Sequence, residues 1–86
     1  AVEITSAVTE VDATAGDAPV TLADGANGQI KTIINVSTGG TNNVNIVPSN
    51  LRGGTTITLN APGETVTCMF KNSNWNIIAG HDYAVS

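Results

Sequence analysis

Residues 56–70 read Thr56-Ile57-Thr58-Leu59-Asn60-Ala61-Pro62-Gly63-Glu64-Thr65-Val66-Thr67-Cys68-Met69-Phe70. Ile57 and Leu59 alternate with threonines, and Val66, Cys68 and Phe70 alternate with Thr65, Thr67 and Met69. That period of two is the spacing of a pleated strand, not of a helix. Between the runs, Ala61-Pro62-Gly63-Glu64 has proline second and glycine third, the signature of a type II turn. Strand, turn, strand is therefore the reading here, and the rest of the chain repeats it.

Working outward, Val20-Thr21-Leu22, Val44-Asn45-Ile46 and Trp75-Asn76-Ile77 alternate in the same way. In residues 30–36, Ile30, Thr32, Ile34 and Val36 share one face, while Lys31, Ile33 and Asn35 share the other. These runs are rich in β-branched residues, which suit a pleated surface. Turn formers separate them: residues 24–28, 38–43, 48–54 and 72–74, the last expected to close a hairpin between Phe70 and Trp75. No ten-residue segment has helical periodicity with caps. The sequence thus predicts an all-β fold, a small antiparallel sandwich or barrel. Residues 1–18 differ, with Val2, Ile4 and Val8 allowing one strand before a patternless Ala-, Asp- and Gly-rich stretch. They are read as an N-terminal strand or arm with a connecting loop, and residues 19–86 as the β-domain. The strand could lie in the chain's own sheet or pair with a neighbouring subunit.

Composition bounds the function. The chain has 86 residues, one cysteine and one histidine, so neither an internal disulfide nor a Cys/His zinc site is available. A fold this small has a thin core, and oligomerisation is the remaining staple. Charged residues make up 12% and aromatics 3% of the chain, against a usual charged share of about 25%. Outer faces of Thr and Asn are weakly hydrated and repel one another little. With a net charge of −4 and only Lys31, Arg52 and Lys71 as cations, no basic surface for nucleic acid or an anionic membrane is expected. No apolar run approaches a membrane span, and residues 1–10 lack the basic and apolar regions of a secretory leader.

Candidate chemistry is sparse. His81-Asp82 is the one acid–base pair, but nothing in the spacing sets a nucleophile beside it, and a polar segment after the last strand explains it. Cys68 alternates with Val66 and Phe70 and reads as a buried hydrophobe. Asp12, Asp17 and Asp24 lack calcium-loop spacing, and Gly39-Gly40 and Gly53-Gly54 lack the lysine and helix of a phosphate loop. No enzyme activity, cofactor, metal or small-molecule substrate is expected. The informative anomaly is two-sided strands. Ile33-Ile34 and Cys68-Met69-Phe70 put apolar groups on both faces. Either a closed sandwich leaves some apolar residues outward, or a second face meets another subunit, and the doubled pattern in two strands favours the interface. Candidate interface residues are Val2, Ile4, Ile33, Met69, Trp75 and Tyr83.

Four stretches carry a resemblance: residues 22–33 (Leu22-Ala23-Asp24-Gly25-Ala26-Asn27-Gly28-Gln29-Ile30-Lys31-Thr32-Ile33), 51–59 (Leu51-Arg52-Gly53-Gly54-Thr55-Thr56-Ile57-Thr58-Leu59), 63–70 (Gly63 to Phe70) and 74–80 (Asn74-Trp75-Asn76-Ile77-Ile78-Ala79-Gly80). This pattern of turns and short alternating strands resembles a small β-rich module of tailed-phage virions, found in fibre-like and head-associated proteins. The resemblance covers about residues 20–80 and brings no catalytic residues. It implies a virion component, commonly a homotrimer. A chain that is nearly all module suits a capsid decoration or cement protein, bound to the major capsid protein on the outer capsid surface. The alternative is a fibre, spike or tail-associated adhesin that binds a host surface glycan.

Overall fold

The structure, a computed structural model, describes residues 7–38 and 42–86. It is all-β, with no helix among these residues. Eight strands follow in chain order: β1 (Val8–Val11), β2 (Ala18–Leu22), β3 (Ile30–Asn35), β4 (Val44–Pro48), β5 (Ile57–Leu59), β6 (Thr65–Lys71), β7 (Asn74–His81) and β8 (Ala84–Val85). They form two four-stranded sheets, ordered β1-β3-β6-β7 and β2-β4-β5-β8. One apolar cluster joins both: Ile33, Val66, Cys68, Phe70 and Trp75 from the first, Leu22, Val44, Ile46, Ile57 and Leu59 from the second. The arrangement is a sandwich of two open sheets, not a closed barrel.

The expected antiparallel sandwich needs correcting. β1 runs parallel to β3, and β2 parallel to β4; the other pairings are antiparallel. The reason is the path of the chain. From β1 to β4 it changes sheet at every connection, and two reversals bring each strand back in the direction of its predecessor. A parallel pair needs a long crossover, and here the crossover between β1 and β3 is β2 itself.

Local chemistry sets the reversals. Between β6 and β7, Asn72 and Ser73 both take positive φ, 53° and 66°. This two-residue type I′ turn matches the twist of the hairpin it closes. At residues 61–64, Gly63 has φ 87° and Glu64 N–H donates to the Ala61 carbonyl at 3.2 Å. This is the type II turn the sequence predicts, and it carries the chain from β5 in one sheet to β6 in the other. Of segment 1–18, the described part belongs to the chain's own fold: β1 pairs with β3, Ala13 is buried, and Ala18 opens β2.

Candidate interaction surfaces

The core decides which residues remain for contact with anything else. Along β6 the alternation holds as read, with Val66, Cys68 and Phe70 buried. Along β3 it is Lys31, Ile33 and Asn35 that are buried, while Ile30 is 48% exposed. Ile33 therefore packs inside and is no interface residue, a correction to the expectation above. Trp75 is corrected likewise, since it is fully buried. Its indole Nε1–H donates to the Ala23 carbonyl at 2.9 Å, and its ring meets Phe70 edge-on at 5.3 Å. The indole thus ties the two sheets together, because Ala23 directly follows β2.

Asn35 is a second tie, which the alternation of apolar residues does not reveal. Its Nδ2 donates to the Leu59 carbonyl of β5 at 3.0 Å. Its Oδ1 accepts from Ser37 N–H at 3.0 Å and Ser37 Oγ at 2.6 Å, and Ser37 Oγ in turn accepts from Ala13 N–H at 2.8 Å. A buried polar side chain is tolerable only when its atoms are so engaged, which explains how an asparagine occupies the core face of β3.

What the core leaves outside is a face of low charge. Across the first sheet the register makes rows of Val8, Thr32, Thr67 and Ala79; of Glu10, Ile34, Thr65 and His81; and of Ile30, Met69 and Asn76. Val8 is 51% and Ile78 50% exposed, with Ile34 and Met69 half-buried beside them. Ile78 stands out because β7 bulges there: Cys68 pairs with Ile77 but Thr67 with Ala79. The Thr32 and Thr67 hydroxyls bond each other at 2.9 Å, so one of their two O–H donors already has a partner within the face. Ionisable residues stand at the ends of this face, Glu10 and His81 at one and Lys71 at the other. On the second sheet's outer face Thr58 Oγ1 donates to Asn45 Oδ1 at 3.3 Å, and Val47 is exposed.

The other sequence candidates fall apart in space. Met69 lies on the outer face of the first sheet. Tyr83 lies after β7, packed over Gly80, where an added Cβ would stand 2.5 Å from the Tyr83 Cδ2. Val2 and Ile4 lie outside the described residues. His81 Nε2 and Asp82 Oδ2 are 3.3 Å apart and both side chains are largely solvated. His81 points outward, while Cys68 faces the core, where burial pushes its thiol up to about 11. Asp12 is held below its ordinary range by the Thr14 hydroxyl and then the Thr14 backbone N–H, both bonded to Oδ1. Among the described residues no ligand-sized pocket opens, and no three His, Cys, Asp or Glu side chains gather around a common point.

No protein-family model, no curated protein and no solved structure matches this chain.

Proposed function

We propose that this chain is a virion structural protein that decorates and cements the outer shell of a tailed-phage capsid. It would act as a homotrimer seated on the major capsid protein. The observation that supports this most is the outer face of the first sheet. Val8, Ile30 and Ile78 are about half exposed there, Ile34 and Met69 lie among them, and charge is kept to the ends. A contiguous apolar patch favours coverage by a partner. The Thr32 and Thr67 hydroxyls are bonded to each other within it, which lowers the desolvation cost of covering them. Such a face binds modestly on its own, and copies joined in one assembly gain through multivalency. Adhesion of this kind asks for area and low charge rather than a cleft.

The test is the copy number of the chain in purified particles, by quantitative mass spectrometry against the major shell protein. A number comparable with the shell protein is expected, because a shell-wide lattice needs that many copies. A number far below it would favour the fibre or spike adhesin. Absence from every particle would overturn the virion reading.

A further inference from the structure

β8 sits at the edge of β5 through a short set of contacts that a second copy could make equally well. Val85 lies opposite Ile57, and Ala84 opposite Thr58. Ser86 N–H donates to the Thr56 carbonyl at 3.0 Å. The Ser86 carbonyl oxygen receives Thr55 N–H at 2.7 Å, Thr56 N–H at 3.1 Å and Thr55 Oγ1 at 3.1 Å. Val85 fits against Gly54, where any Cβ would collide with its Cγ1, and Leu51 Cδ2 lies 3.8 Å from the same point. Residues 54–58 thus form a seat for a three-residue strand: backbone groups for register, three donors for its last carbonyl, and a notch for one small apolar side chain. This is the pattern of strand addition, in which the main chain supplies affinity and a side-chain pocket supplies choice.

The segment that fills the seat is poorly anchored elsewhere. Ala84, Val85 and Ser86 are all exposed. Only Asp82 and Tyr83 join it to β7, and Asp82 is held at φ 55°, a left-handed conformation that aspartate tolerates better than most residues but that still costs it more than glycine. Releasing Asp82 to an extended conformation relieves that strain and swings residues 84–86 out as a unit. In an exchanged pair every contact of the seat is made again, by the other copy's segment. The closed and exchanged forms differ mainly in the hinge, and short strained hinges favour exchange.

We propose that β8 exchanges between copies of this chain, residues 84–86 of one occupying the 54–58 seat of another. The inference goes beyond the capsid reading and does not depend on it, since it concerns isolated chains in solution.

The experiment pairs two single variants, Thr58→Cys and Ala84→Cys. These residues are partners in the antiparallel register, at a Cα separation suited to a disulfide, and the native Cys68 is buried. The double variant in one chain calibrates the geometry by closing an internal disulfide. Mixed, incubated and then oxidised, the single variants should give the mixed disulfide dimer several-fold above either homodimer. Adding Asp82→Gly to the Ala84→Cys copy should lower that yield several-fold, because glycine removes the strain that favours opening. Internal closure in the double variant, with no mixed dimer above the homodimers, would overturn the proposal. The unaltered chain supplies a second readout that needs no variant to fold. In a sample of differently isotope-labelled copies, a nuclear Overhauser effect between the Val85 methyls of one copy and the Gly54 amide of another supports exchange. Its absence, with the same contact present within a copy, sinks it.

Discussion

Asn35 and Cys68 both face the core, and each leaves a measurable trace in stability. Asn35→Leu keeps the branched shape but removes the donor to Leu59 O and the acceptor for Ser37. Stranding those buried groups should lower stability by about 2–3 kcal/mol, seen as an earlier urea midpoint at unchanged slope. Cys68 gives a pH signature. Its thiol rises from an ordinary 9.0 to about 11 through burial. Below pH 9 both folded and unfolded chains keep the proton. Between 9 and 11 the unfolded chain loses it and the folded chain does not, so stability falls as pH rises, by up to about 2–3 kcal/mol. Urea titrations across that window should show the fall, and Cys68→Val should flatten it relative to the unaltered chain. The burial of Cys68 was legible, because its strand alternates cleanly. The core face of β3 was not. Counting apolar residues favours the side of Ile30 and Ile34, and what turns Asn35 inward is a carbonyl on β5, 24 residues away.

At the level of elements, the turns were the most legible part, because each rests on local backbone preference. The pattern Ala61-Pro62-Gly63-Glu64 and the break at Asn72-Ser73 both appear where the residues put them. Ser73 nevertheless carries a cost, since φ 66° is left-handed for a residue with a side chain. Ser73→Gly creates the preferred Asn-Gly type I′ pair and should stabilise the hairpin by about 0.5–1 kcal/mol, raising the melting temperature by a few degrees. Strand pairing was less legible. Nothing in residues 12–29 declares that β2 will cross to the other sheet, so the parallel pairs could not be read from alternation, which fixes faces but not neighbours. The outer face of the first sheet belongs to the same scale. Val8→Lys together with Ile30→Lys should change stability by about 0.5 kcal/mol or less, since both side chains are half exposed. On the proposed capsid role, the pair should weaken attachment to purified shells about tenfold or more, measured by co-sedimentation. Full retention would remove that face from the attachment surface.

For the whole molecule, the doubled apolar pattern was visible in the sequence and has a structural counterpart, although two of the residues chosen for it lie inside. Ile33 and Trp75 hold the sandwich together, and Ile30, Val8 and Ile78 stand outside in their place. The same count of apolar residues fits either assignment until the second sheet is placed. The path of the chain has a mechanical consequence. Of the seven connections between successive strands, five (β1–β2, β2–β3, β3–β4, β5–β6 and β7–β8) pass from one sheet to the other. The layers are stitched by covalent bonds as well as by their shared core. A load normal to the sheets would therefore fall on peptide bonds, and the sandwich would resist delamination. It should give way instead by fraying at β1 or β8, where a strand can be shed without drawing thread through the rest.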